Sequence, residues 1–183
     1  RSTLFPYTTL FRSERCTIAT AVAIVGAATI AAAPSASADT VRTGLSCQVA
    51  DYGWQEAFTI TVNVPATARQ GDTITVTGSV YGTIARPGPR AAGAYNGALG
   101  IRVGGVTNAS VTVSGMTSPA ANNGDPYALV GGSGQITLNT TGTVTFSPNS
   151  AGWGVPGHPG YGWGCFDPDG NLPVAATIQV LPR

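Results

Sequence analysis

The chain has 183 residues, with nine arginines, no lysine, eight carboxylates and a formal net charge of +1. Only 9% of it is charged against 43% hydrophobic, so no basic surface is available to offset a phosphate backbone and nucleic acid is excluded as an expected partner. Glycine, threonine, alanine and valine are abundant, yet the apolar residues recur with a period of two, a pattern that a disordered chain does not need.

Residues 1–13 are expected to carry no function, because the string from Thr3 to Ser13 resembles the in-frame translation of a sequencing adapter. Residues 14–38 read as a signal peptide helix. Arg12 and Arg15 precede a small-apolar run from Ile18 to Ala33, Pro34 ends the helical tendency, and Ala36-Ser37-Ala38 supplies a small-x-small pattern. Cleavage is expected between Ala38 and Asp39. The apolar run is close to spanning length, but alanine sits near zero on insertion scales, so the segment is a weak anchor. The expected product is a secreted domain over residues 39–183, extracellular or associated with the cell surface and free of the membrane once the signal is removed. In it seven carboxylates face six arginines, a balance of −1.

In chain order, strands are predicted wherever β-branched or aromatic residues alternate with threonine and other polar residues. Phe58, Ile60, Val62 and Val64 form the first clear series, then Ile74, Val76 and Val80, then Leu99, Ile101 and Val103. Val111 with Val113, Ile136 with Leu138, and Val144 with Phe146 follow. Val174, Ala176, Ile178 and Val180 close the series. Between them, Pro65–Asp72, Arg86–Arg90 and Ser118–Pro126 read as loops and Asn139–Gly142 as a tight hairpin turn. No segment after Asp39 carries a helical period. Short strands separated by turn signals predict an all-β fold, a two-sheet antiparallel sandwich.

Cys16 leaves with the signal, so Cys47 and Cys165 are the two cysteines of the exported domain, and an even count there predicts one disulfide. Their parity agrees: Cys47 shares a face with Leu45 and Val49, and Cys165 shares one with Tyr161 and Trp163. No close Cys-x-x-Cys pair suggests redox or metal chemistry. His158 is the only histidine, no Gly-x-Ser-x-Gly elbow occurs, and without lysine a Ser–Lys pair is impossible, so no catalytic residue is assigned. Asp167, Asp169 and Asn171 alternate like calcium-loop ligands. The glycine is misplaced, however, and Ile178 stands where a bidentate glutamate belongs, so a turn is expected and no metal or other cofactor.

The segment from Trp153 to Trp163 is the most unusual. Trp153, Tyr161 and Trp163 are spaced by glycines and can form a flat platform for sugar rings. The competing expectation buries Trp163 and Tyr161 against the disulfide and leaves Trp153 free.

Leu45-Ser-Cys-Gln-Val49, the strand Phe58–Pro65, the restart Gly71–Val76 and the late Cys165 together resemble small secreted actinobacterial domains of immunoglobulin-like type. The resemblance implies an immunoglobulin-like sandwich and a surface location, and no catalytic residues. The chain ends at Val180-Leu-Pro-Arg183 without a wall-sorting motif, so wall anchoring is not expected. The function expected is a secreted non-catalytic extracellular or cell-envelope module, structural or protein-binding, its partner a cell-envelope protein. The alternative is a carbohydrate-binding module that takes an envelope polysaccharide on the aromatic platform.

Overall fold

A computed structural model describes residues 36–170 and 173–183. The adapter-like string and nearly all of the signal segment lie outside the described residues, as does Asn171. The expected cleavage bond between Ala38 and Asp39 falls inside the first strand. Alternation of branched apolar and hydroxyl side chains gives strands throughout, and no helix occurs among the described residues. In order the strands are β1 (Ala36–Val49), β2 (Tyr52–Pro65), β3 (Thr67–Arg69), β4 (Thr73–Tyr81), β5 (Asn96–Gly105), β6 (Ala109–Thr117), β7 (Ala128–Thr137), β8 (Gly142–Val155), β9 (His158–Phe166) and β10 (Ala176–Leu181).

Hydrogen bonding joins all ten strands into one sheet, not into two. Antiparallel neighbours run β9-β1-β2-β4-β7-β6-β5-β8, and β8 then pairs again with β9, so these eight strands close a circuit. The expected all-β class is observed and the two-sheet arrangement is not confirmed, the single sheet following from the length of β8. Its first part, Gly142–Phe146, pairs with β10, and its last part, Ser150–Val155, pairs with β9, which carries the sheet round to β1. Closure removes the exposed edges that an open sheet would leave there. Short β3, within the segment expected to be loop, adds to β10 in parallel.

The predicted alternation fills the interior. Phe58, Ile60, Val62, Val64, Val76, Val80, Leu99, Ile101, Val103, Val113, Val144, Phe146, Ile178 and Val180 all belong to one buried core. Val174 departs from the expected series: it precedes β10 and is exposed, while Ala175 and Ala176 turn inward. β7 was barely legible beforehand because Gly131, Gly132 and Gly134 interrupt it. A Cβ on Gly134 would collide with the backbone of Thr112, so β6 and β7 approach too closely for a side chain there.

Cys47 and Cys165 are direct cross-strand partners on β1 and β9 and are joined by a disulfide, 118 residues apart in sequence. Both are buried at 2% exposure. The bond staples β1 to β9, next to the β8–β9 pair that closes the circuit.

The circuit has two unlike ends. At one, β2–β3–β4, β5–β6 and β7–β8 are joined by short turns. At the other lie the β1–β2 turn, the β8–β9 hairpin, and two long loops, 82–95 and 118–127. The site is at the long-loop end.

Candidate functional site

The three aromatics of the expected platform do not share a surface. Trp153 points inward from β8 and is 4% exposed, its ring 5.5 Å from Phe58. Trp163 is its cross-strand partner on β9, stacked on it at 5.8 Å with planes 6° apart, and is half-buried. Tyr161 is 71% exposed, because the β8–β9 register slips between Gly154 and Val155. That bulge turns it out of the alternation that governs Trp163 and Cys165. Neither expectation held whole: Trp153 is core, Trp163 is its lid, and Tyr161 stands alone beside His158 at 5.9 Å.

A different set of residues converges. β2 carries Trp54, Glu56 and Phe58 inward on successive turns of its pleat, and Phe58 is in the core, so Trp54 and Glu56 lie at its rim. Around that rim a cleft of about 350 Å³ is lined by Tyr52, Trp54, Ile84, Arg86, Tyr127 and Trp163, with Val49 beside them. The volume is within the range of small-ligand sites, and the mouth of a β-barrel is one of their usual positions. Tyr52 and Trp54 stack at 5.8 Å, and Tyr95 meets both Tyr127 (5.0 Å) and Trp163 (5.3 Å) edge to face.

The two long loops hold this wall. Arg90 and Ala121 exchange backbone hydrogen bonds, the Gly124 amide donates to the carbonyl of Arg86, and the Gly88 amide donates to Asn123 Oδ1. Arg90 donates from Nη2 to the carbonyls of Asp125 and Pro126. Both guanidiniums lie over the Tyr127 ring, Arg86 at 4.7 Å and Arg90 at 5.2 Å. The loops are thus pinned before any ligand arrives.

Glu56, 5% exposed, is the keystone. Its Oε1 accepts the backbone amides of Thr83 and Ile84, and its Oε2 accepts Trp54 Nε1 at 3.1 Å and Arg86 Nη2 at 2.7 Å. Four donors compensate the buried carboxylate, and both oxygens are occupied, so its chemistry is structural. The Tyr127 phenol titrates above its ordinary value, first because burial penalises the phenolate and second through Tyr95; the nearby arginines oppose that rise.

Of this set the sequence pointed only to Trp163. For the rest, the one usable signal was a glutamate in the inward phase of an alternating strand, between Trp54 and Phe58. The other residues come from separate strands and loops, and no spacing links Arg86, Tyr127 and Trp163 to β2. Of the remaining candidates, His158 is exposed on the hairpin and makes no side-chain hydrogen bond among the described residues. Asp167 Oδ1 accepts the amide of Asp169, a local turn. Among the described residues no group of three or more His, Cys, Asp or Glu could hold a metal ion, and no helix is long and apolar enough to cross a membrane.

No family model matches the chain, and no curated protein matches it. Among solved structures, a Corynebacterium diphtheriae protein described as "Putative membrane anchored protein" aligns at 15% identity with a TM-score of 0.47. The alignment covers 81% of this chain and 38% of that one.

Proposed function

We propose that this protein is a non-catalytic extracellular or cell-envelope binding module whose ligand site is the aromatic cleft at the long-loop end. The observation that supports it most is the cleft itself. Aromatic faces from β2, β9 and the 118–127 loop are held open around Arg86 by a fully engaged Glu56. Its wall is largely apolar, and the carboxylate at its base has no free lone pair to serve as acid or base. That combination suits recognition better than turnover. Export rests on the signal-like segment and on a disulfide between the only two cysteines of the domain. An immunoglobulin-like ancestry remains compatible with an all-β chain, although the disulfide joins neighbouring strands instead of spanning two sheets.

The test uses the exported protein on an isolated cell-envelope fraction. Tyr52 is 68% exposed, so Tyr52→Ala leaves the core intact. Retention of the wild type that falls severalfold in Tyr52→Ala, at an unchanged melting temperature, supports the site. Equal retention of both proteins refutes it.

A further inference from the structure

We propose that the cleft takes one ring of an acidic saccharide, a sugar bearing a carboxylate, with the next ring of the chain lying on Tyr52. This rests on the cleft being the binding site and adds the class of ligand.

Two observations carry it. The first is shape. Tyr52 and Trp54 form a two-ring strip, planes 27° apart, that runs from the half-buried indole out to a largely exposed phenol. A strip of aromatic faces matches the flat C–H faces of successive sugar rings, and stacking there requires no fixed hydrogen-bond pattern. A cleft of about 350 Å³ encloses a ring or two and leaves the rest of a chain outside.

The second is unspent donor capacity. Of the three guanidinium nitrogens of Arg86, Nη2 alone has a protein acceptor, and Nε is buried without one. The Arg86 side chain lines the cleft and is 21% exposed. Arg90, on the same ring, spends its donors on uncharged carbonyls. Glu56 is already saturated, so what Arg86 offers the cleft is its unpartnered Nη1 donor, and no carboxylate in the lining is left to accept from a ligand. A ligand carboxylate is the natural complement of a guanidinium edge, and a cationic ligand is disfavoured because two guanidiniums already lie on the Tyr127 ring.

The experiment titrates the exported protein with oligogalacturonate, with a neutral galactose oligomer of the same length and with a proline-rich peptide, reading intrinsic tryptophan fluorescence. The acidic oligomer should bind about tenfold more tightly than the neutral one, the scale of one charge-assisted hydrogen bond, and weaken as salt rises. Arg86→Lys keeps the charge beside Glu56 but loses the planar fork, and should bring the two oligomers to near parity; Tyr52→Ala should weaken both. Equal affinity for acidic and neutral oligomers in the wild type overturns the proposal, as does tighter binding of the peptide. The same titrations separate this from the site itself. Envelope retention that depends on Tyr52 but is not competed by oligogalacturonate refutes the ligand class and leaves the cleft standing. Retention indifferent to Tyr52→Ala removes both.

Discussion

The two ends of the strand circuit are built on opposite principles. At the short-turn end the interior is filled by Val64, Val76, Val144 and Ile178, and its connections are tight. At the long-loop end the rim holds an ion pair between buried Glu56 and the partly exposed Arg86, under a set of half-buried aromatics. Apolar packing has no directional requirement and tolerates a simple seal. A buried carboxylate with four donors fixes the position of each, so the long loops acquire one conformation without a helix or strand of their own. The first end supplies stability; the second converts part of it into a preshaped surface.

Substitutions can break that division, beginning with the largest expected effect. Removing the staple between β1 and β9, by Cys47→Ala, should cost up to about 5 kcal/mol by the chain-entropy model for so long a loop. Denaturant melts and thiol titration check it, with one free thiol, Cys165, appearing in the variant. Two free thiols in the native wild type would remove the bond itself.

Glu56→Ala should cost about 3–5 kcal/mol, because it leaves the Arg86 charge without a partner and frees the amides of Thr83 and Ile84. Its signature is unequal: exchange protection should vanish first in loop 82–95 and persist in β4 and β7. Uniform loss would mean that the ion pair supports the whole circuit rather than the rim. At the other end, Ile178→Ala should cost about 2–5 kcal/mol, the range for truncating a buried aliphatic side chain, and leave ligand affinity unchanged. Altered affinity in that variant would show that the two ends are coupled.

The smallest effect is alkaline. Because the folded Tyr127 phenol titrates above its ordinary value of 10.0, its contribution to stability is complete below that pH. It declines as pH rises through the folded value, since the unfolded chain releases the proton first. Tyr127→Phe should flatten this part of the stability profile. An unchanged slope would place the alkaline loss elsewhere.

How much of this was legible beforehand differs between the same two regions. Phe58, Ile60 and Val62, or Val144 and Phe146, announce their burial through alternation, because a strand places every second side chain on one face regardless of its neighbours. The pairing of Cys47 with Cys165 followed from parity and count. Trp153 was left open because its flanking glycines suggested freedom, whereas Gly152 and Gly154 lie on β8 beside a tryptophan that its strand turns inward. The convergence of Trp54, Arg86 and Tyr127 had no local signature at all. What the amino-acid sequence determined by itself was the all-β class, most of the core and the disulfide, since each depends on local periodicity or on arithmetic. The closure of the sheet through β8 and the cleft at its mouth were decided by tertiary structure. They depend on which strands become neighbours and where long loops meet, and no short-range pattern encodes either.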